Sequence, residues 1–164
     1  MKPRSIVFDL FGTNKIASID RRSLTVTEYP LPDAGSRPRR IAVSDDGFVW
    51  YSDYARGRLG RLDPKTGKMI EYKIPMAYSE PYDVWPDPAG NIWISDGGMG
   101  GTLIRFEPGT EKFTFYPTVQ RGDLPKVEIT REGAVWYNPR SALKGAVGVL
   151  YPDMSRMTTF EARY

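Results

Sequence analysis

One stretch decides the fold, Arg39-Arg-Ile-Ala-Val-Ser-Asp-Asp-Gly-Phe-Val-Trp-Tyr-Ser-Asp53, because the chain repeats it twice. The second copy is Tyr82-Asp-Val-Trp-Pro-Asp-Pro-Ala-Gly-Asn-Ile-Trp-Ile-Ser-Asp96, and the third is Lys126-Val-Glu-Ile-Thr-Arg-Glu-Gly-Ala-Val-Trp-Tyr-Asn138. Each copy holds a short apolar strand pattern, a tight turn and a second apolar strand pattern. A tryptophan recurs at intervals of 43 residues, at Trp50, Trp93 and Trp136. Repeats of roughly 40–50 residues with several short strands are typical of β-propeller blades.

Two further strand patterns follow each copy, separated by a turn. They are Arg58–Asp63 with Met69–Ile74, Leu103–Phe106 with Phe113–Tyr116, and Val147–Leu150 with Met157–Phe160. Their alternating side chains and their flanking Gly, Pro, Asp and Ser residues predict strands joined by short turns. No segment holds a helical period. The sequence therefore predicts an all-β fold, a β-propeller of four-stranded antiparallel blades.

The first unit of the chain is shorter than the others. Ser5–Asp9, Asn14–Asp20 and Val26–Leu31 match the second, third and fourth strands of a blade, and only residues 1–4 precede them. We therefore expect a partial propeller with three full blades and three strands of a fourth, in one domain. Its blades are predicted at about 5–32, 37–75, 80–117 and 124–161 of residues 1–164. An unclosed ring exposes apolar blade faces, so the expected partners are the remaining propeller blades or a second copy of the chain.

Composition limits the chemistry. The 164 residues are 40% hydrophobic and 26% charged, as in soluble globular proteins, and the formal net charge is +3. The chain has no Cys and no His, so it can build neither a disulfide nor a Ser-His-Asp or Cys-His arrangement. The short basic run Arg37–Arg40 predicts a surface patch and no nucleic-acid binding. The sequence contains no apolar run of about 18 residues, so it predicts no membrane-spanning helix. The amino terminus lacks the pattern of a secretory signal, so the compartment stays undecided.

Variable loops indicate where a ligand would bind. The loops joining strands 2–3 and 4–1 of each unit are longer and more varied than the tight turns at the other end, so we predict a site there, around the central channel. An X-Pro-X pattern opens each innermost strand. The candidate ligand-binding residues are Arg37, Arg39, Glu80, Tyr82 and Lys126, with Asp53, Asp96 and Asn138 beside them. Such mixed polar and aromatic groups suit a polar small molecule or peptide, although pairing among themselves is the alternative interpretation.

Other motifs have structural interpretations. The tryptophans are expected to fill the core between blades, and the glycine-rich run 97–101 is a loop, because no helix follows it to hold a phosphate. Aspartates in the tight turns are expected to cap backbone N–H groups. Four carboxylates leave oxygen-only binding of Mg²⁺ or Ca²⁺ open, namely Glu80, Asp53, Asp96 and Asp123. No catalytic residue is assigned.

The repeat resembles a known family. Residues 37–53, followed by Gly57-Arg-Leu-Gly-Arg-Leu-Asp-Pro-Lys-Thr-Gly-Lys68 and Glu71-Tyr-Lys-Ile-Pro75, resemble the streptogramin lyase (virginiamycin B lyase) family. The resemblance runs from about Ser5 to Phe160. It implies a seven-bladed propeller of which this chain is the carboxy-terminal portion, and an elimination that opens a cyclic peptide lactone with Mg²⁺ and catalytic histidine.

Two interpretations follow from the residues and the resemblance together. Because the chain has no histidine, no catalytic residue of the family carries over. The first interpretation is a propeller segment that binds a polar ligand without lyase activity. The alternatives are an enzyme, either a lyase or a lactone hydrolase that uses carboxylate-bound metal, and a propeller that displays its faces to a protein partner.

Overall fold

A computed structural model describes residues 5–98, 101–119, 122–140 and 146–152, together with the backbone of 156–161. Across these residues the chain forms fifteen β-strands and no α-helix. The strands are β1 Ser5–Leu10, β2 Lys15–Asp20, β3 Val26–Pro30, β4 Pro38–Val43, β5 Val49–Asp53, β6 Arg58–Leu62, β7 Met69–Lys73, β8 Pro81–Pro86, β9 Ile92–Asp96, β10 Thr102–Glu107, β11 Lys112–Pro117, β12 Lys126–Ile129, β13 Val135–Asn138, β14 Ala146–Tyr151 and β15 Arg156–Glu161. Within the described ranges no helix is long and apolar enough to cross a membrane.

The strands form four antiparallel sheets in sequence order, which confirms the predicted propeller blades. Blade 1 is β1-β2-β3, blade 2 is β4-β5-β6-β7, blade 3 is β8-β9-β10-β11 and blade 4 is β12-β13-β14-β15. Neighbouring blades contact each other through β1 and β4, β4 and β8, and β8 and β12. Blade 1 has three strands among the residues described, as expected from its shorter repeat.

The second strand of blades 2 and 3 is buried on both faces. In β5, Val49 and Tyr51 pack toward blade 1, in a cluster that includes Ile16. Trp50 lies between them and packs toward blade 3, in a cluster that includes Phe106. Successive side chains of a strand point to opposite faces, so one strand fills two inter-blade cores. The core of the molecule therefore lies between its sheets.

The tight turns repeat their backbone geometry as well as their sequence. Gly47, Gly90 and Gly133 have φ values of 87°, 84° and 84°. This left-handed region is easily reached only by glycine, which explains why glycine recurs in the turn between the first two strands of each full blade. Asp87 accepts backbone N–H bonds within its turn, including that of Asn91 at 2.9 Å, and this confirms its predicted capping role.

The three repeated tryptophans differ in burial. Trp50 and Trp93 are 2% and 1% exposed, which confirms the prediction that they fill the core between blades. Trp136 is 37% exposed, so the prediction is wrong for this residue. Trp50 packs in a cluster with residues of blade 3 and Trp93 in one with residues of blade 4, whereas Trp136 belongs to neither cluster. Burial of this position therefore depends on the blade that follows it.

Candidate functional site

Two β-bulges shape the start of the innermost strands. The register of β4 against β5 shifts beside Arg39, between Pro38 and Ile41, and the register of β8 against β9 shifts in the same way beside Tyr82. A bulge leaves one residue out of the ladder and redirects its side chain. Arg39 and Tyr82 consequently leave the regular alternation of their strands where the loops of the predicted site begin.

Blade 4 departs from this arrangement. Strand β12 pairs with β13 without a register shift, because its proline stands one residue later in the repeat. Lys126 therefore takes the position of Arg40 and Asp83, and not that of Arg39 and Tyr82 as the X-Pro-X pattern suggested. By the same 43-residue period, Ser52, Ser95 and Asn138 occupy one position of the repeat. Asn138 therefore stands one residue before the position that Asp53 and Asp96 share.

Arg39 lies between two aromatic rings. Its guanidinium carbon is 4.4 Å from the ring centre of Phe11 in blade 1 and 4.4 Å from that of Tyr82 in blade 3. Its Nη2 also donates a hydrogen bond to the Tyr82 hydroxyl. Stacking of a planar guanidinium on aromatic faces is favourable and holds the side chain in one orientation. Three blades are thus joined at this one cation.

Tyr54 extends the aromatic surface. Its ring meets that of Tyr82 edge to face, with 6.1 Å between the ring centres, and lies 6.3 Å from the Phe11 ring. Its hydroxyl donates to Glu80 Oε2 at 3.0 Å. Burial, and then the hydrogen bond to the Glu80 carboxylate, raise the pKa of Tyr54 above its ordinary value. Tyr54 therefore stays protonated as a hydrogen-bond donor near neutral pH.

Blade 4 adds an ion pair. The Arg140 guanidinium binds the Asp123 carboxylate, and its guanidinium carbon lies 5.9 Å from the centre of the Tyr82 ring. The hydrogen bond from Arg39 lowers the pKa of Tyr82, and the charges of Arg39 and Arg140 act in the same direction. We call these residues the mouth cluster, and its members are Phe11, Arg39, Tyr54, Glu80, Tyr82, Asp123 and Arg140.

Lys126 belongs to a structural contact beside the mouth cluster. Its Nζ lies 3.2 Å from Oδ2 of Asp83, which is 2% exposed, and 5.3 Å from the Trp85 ring centre. The same Asp83 oxygen accepts the backbone N–H of Val127 at 3.2 Å. Asp83 thus links blade 3 to blade 4, and Lys126 neutralises a carboxylate that is otherwise buried.

Two predicted site residues anchor loops instead of facing solvent. Asp53 and Asp96 are completely buried. Asp53 Oδ1 accepts the backbone N–H of Arg37 at 2.9 Å. Asp96 accepts the Ser79 hydroxyl at 2.5 Å and the Gly98 N–H at 2.8 Å. Burial raises the pKa of Asp96, while the bonds from Ser79 and the backbone oppose that rise.

The last two predicted site residues, Arg37 and Asn138, contact residues of their own blade or loop. The Arg37 guanidinium donates to the backbone carbonyl of Ser36 at 2.7 Å, and so it contacts its own loop. Asn138 is exposed and pairs with Lys126 across the β12–β13 ladder. Residues 99–100 of the glycine-rich run and residues 141–145 of the following long loop lie outside the described residues.

The carboxylates do not fit a Mg²⁺ site. No group of three or more Asp and Glu side chains suited to a metal ion occurs among the residues described. Glu80 is bonded to Tyr54 and Asp123 to Arg140, while Asp53 and Asp96 are buried against backbone N–H groups. Magnesium prefers several oxygen ligands around a site that also admits water. We therefore assign no step to a metal ion.

Sequence reasoning did not name Phe11, Tyr54 or Arg140 as site residues, and it named Asp123 only as a possible metal ligand. The 43-residue period held a signal that could have found them, because one repeat position is shared by Phe11, Tyr54, Gly97 and Arg140. Variation at one position of an otherwise regular repeat indicates a surface that each blade uses differently. At Gly97, a Cβ atom would lie 2.5 Å from the Asp123 carboxylate, so a side chain there would displace that carboxylate.

Two cavities lie near the blade ends. One of about 480 Å³ lies on the predicted loop end, between residues 55–57 and 73–79. Another of about 510 Å³ lies at the opposite end, where the tight turns of blades 2, 3 and 4 meet, and Asp45, Arg61 and Arg131 line it. Cavity volume alone does not choose between the two ends, so the location of the site stays a prediction.

Comparison with known proteins identifies the family. A sequence model of the virginiamycin B lyase family matches residues 3–106. The chain belongs to the virginiamycin B lyase family. This confirms the resemblance read from the repeats, whereas the assignment to the carboxy-terminal portion stays a prediction. A search of curated proteins finds no match.

Solved structures of virginiamycin B lyases have the same fold. One is a catalytically inactive histidine-to-alanine variant of virginiamycin B lyase from Staphylococcus aureus with quinupristin, with TM-score 0.86, 24% identity and coverage of 99% of this chain and 53% of that chain. Another is described as a streptogramin B lyase, with TM-score 0.86, 20% identity and coverage of 99% and 52%. This member of the virginiamycin B lyase family therefore spans about half the length of the relatives that it matches.

Proposed function

We propose that this virginiamycin B lyase family chain binds a polar small molecule or peptide at the channel mouth and does not carry out the family's lyase reaction. The observation that supports binding most directly is the mouth cluster. Four blades contribute to it, and it combines three aromatic rings with two guanidinium groups and two carboxylates. A rigid scaffold that collects such groups at its loop end is a common form of ligand site.

The mouth cluster offers both directional and flat contacts to a ligand. The Tyr82 hydroxyl accepts from Arg39, so its own hydrogen is available to another acceptor. The rings of Phe11 and Tyr54 present apolar surface beside these polar groups. A peptide or a small polar molecule with a ring meets both requirements.

The absence of histidine argues against lyase activity in this chain. A histidine-to-alanine variant of the Staphylococcus aureus enzyme is catalytically inactive, and this chain has no histidine at any of its 164 positions. Without histidine, a base active near neutral pH would have to come from a carboxylate or a tyrosine with a strongly shifted pKa. The two carboxylates of the mouth cluster are engaged by Tyr54 and Arg140.

Two measurements test this proposal. The chain is incubated with quinupristin and Mg²⁺, and ring opening is followed by mass spectrometry; we expect no ring-opened product, and its formation would overturn the inactive assignment. Separately, ¹⁵N-labelled protein is titrated with quinupristin, triglycine, digalacturonate and chitobiose. We expect at least one to shift amide signals of the mouth cluster, and no shift with any of the four would refute ligand binding there.

We also propose that another blade covers the outer face of blade 4. Trp136 and Val147 lie on this face and are 37% and 44% exposed, whereas Trp50 and Trp93, at the same repeat position as Trp136, are buried by the next blade. The covering blade belongs either to the remaining propeller or to a second copy of the chain. Size-exclusion chromatography with light scattering tests the second source. A mass that stays monomeric at high concentration would exclude a second copy, and a dimer that Trp136→Asp dissociates would support it.

A further inference from the structure

Within the mouth cluster, Arg39 is the cation that lacks an acidic partner among the described residues. Arg140 is paired with Asp123, and Lys126 lies 3.2 Å from Asp83. The contacts of Arg39 are instead two rings and a neutral hydroxyl. A partly buried guanidinium without a counter-charge favours an anion that arrives from solution.

Asp9 lies near this cation without pairing to it. Its carboxyl is half-buried, and burial raises its pKa, while the charges of Arg40 and then Arg39 oppose the rise. No ion pair within 4.0 Å joins Asp9 to either arginine in the described part of the chain. The positive charge of Arg39 is therefore weakened by Asp9 but not neutralised through a direct contact.

The guanidinium of Arg39 is held ready for a planar anion. The two rings at 4.4 Å and the hydrogen bond to Tyr82 restrict the side chain, and the remaining N–H groups are left as donors. A guanidinium edge matches a carboxylate through two parallel hydrogen bonds. Because the side chain is already ordered, little further conformational entropy is lost when a ligand binds.

Tyr82 and Arg140 complete the surroundings of such an anion. The Tyr82 hydroxyl accepts from Arg39 and can donate its hydrogen onward. Arg140 lies over the same ring at 5.9 Å, and Asp123 offsets part of its charge. A carboxylate beside Arg39 would therefore meet a charged fork and a hydroxyl donor.

We propose that Arg39, Tyr82 and Arg140 form a recognition site for a carboxylate group of the ligand. This inference rests on the proposed function, because it names the chemistry of a ligand bound at the same channel mouth. The flanking rings of Phe11 and Tyr54 favour a carboxylate attached next to a ring or another flat apolar group. The carboxylate comes either from the carboxy terminus of a peptide or from a sugar acid, and the two sources are separated by the test.

Matched acid and neutral probes test the site. N-acetyl-phenylalanine is compared with its amide, and digalacturonate with its methyl ester, by isothermal calorimetry and by amide shifts of ¹⁵N-labelled protein. We expect the acid of one pair to bind about tenfold more tightly than its neutral partner, since hydrogen bonds to a charged group exceed those to a neutral one. The pair that shows the difference identifies the source of the carboxylate.

Variants assign the effect to the cluster. Arg39→Gln should remove the preference for the acid, and Arg39→Lys should retain only part of it, because lysine keeps the charge and loses the planar fork. Arg22→Gln changes an exposed arginine in a turn of blade 1 and should leave binding unchanged. If circular dichroism shows that Arg39→Gln does not fold, two other variants are compared instead. Tyr82→Phe keeps the ring, and Arg140→Gln changes a more exposed side chain.

The outcomes separate this inference from the proposed function. Equal affinity for acid and neutral probes would overturn the carboxylate site and leave ligand binding at the mouth intact. A preference for the acid that persists in Arg39→Gln would also overturn it. Binding of quinupristin or chitobiose at the mouth, with no binding of triglycine or of either acid, would refute the inference alone. Failure of every probe would refute the proposed function as well.

Discussion

Replacing Trp93 by alanine should test how the blades hold together. Trp93 is the largest fully buried side chain of the described residues, and it packs with Leu124 and Val127 of blade 4. Its ring lies 5.3 Å from that of Tyr116, and its Nε1 donates to Asp87 Oδ2 at 3.0 Å. Deleting a buried tryptophan side chain costs about 3–5 kcal/mol, and the lost hydrogen bond adds about 1 kcal/mol. We expect the free energy of unfolding to fall by about 4–6 kcal/mol, a large part of the stability of an ordinary domain.

Trp136→Ala is the matched control. The same side chain is deleted at the same repeat position, but Trp136 is 37% exposed and no described blade covers it. We expect a loss of about 1 kcal/mol, as for partly exposed apolar side chains. Both variants are unfolded in urea and followed by circular dichroism, at a concentration where light scattering finds a monomer. Equal losses for the two variants under that condition would refute the argument that inter-blade burial determines the cost.

Three further predictions concern backbone space and ionisation. Gly60→Ala should destabilise the fold by about 1–3 kcal/mol in thermal or urea unfolding, because the added Cβ would lie 1.9 Å from the Tyr51 ring. Gly109→Ala is the control and should cost little, because its Cβ would meet nothing within 4 Å. Equal effects of the two variants would contradict this argument. Turn hydrogen bonds lower the folded pKa of Asp63, so the stability contributed by its carboxylate is present at neutral pH and is lost as the pH falls through that lowered value. Asp63→Asn should therefore lower the free energy of unfolding most at neutral pH and least in acid. A difference that does not depend on pH would count against this prediction. Tyr82 should ionise below the usual tyrosine range when phenolate absorbance is followed during alkaline titration, and Tyr82→Phe should remove that early step; an unchanged curve would disprove the assignment.

Much of the fold could be predicted because blade packing imposes the same demands on every repeat. A left-handed turn position demands glycine, as at Gly47 and Gly90, and a gap between two sheets demands a large ring, as at Trp50 and Trp93. The same residue type therefore recurs at a fixed interval along the sequence. The pattern could not predict the exposure of Trp136, since burial there depends on a neighbouring sheet and not on the residue itself.

The candidate site was only partly predictable. Arg39 and Tyr82 stood out because they differ between repeats whose other residues agree, and the structure brings them into contact. Asp53 and Asp96 looked similar from the sequence, but their carboxylates accept backbone N–H groups from loops that cross them. The sequence does not distinguish an aspartate that faces a ligand from one that anchors a loop.

The sequence by itself determined the blades, their strand order and their family, because alternation, turn chemistry and a 43-residue period are local properties that recur along the chain. Tertiary structure alone decided which cation meets which ring. The contacts of Arg39 with Phe11 and Tyr82 join residues 28 and 43 positions away, on two different neighbouring blades. Such contacts depend on how bulged strands and loops approach each other across a channel, and no pattern within one repeat records that distance.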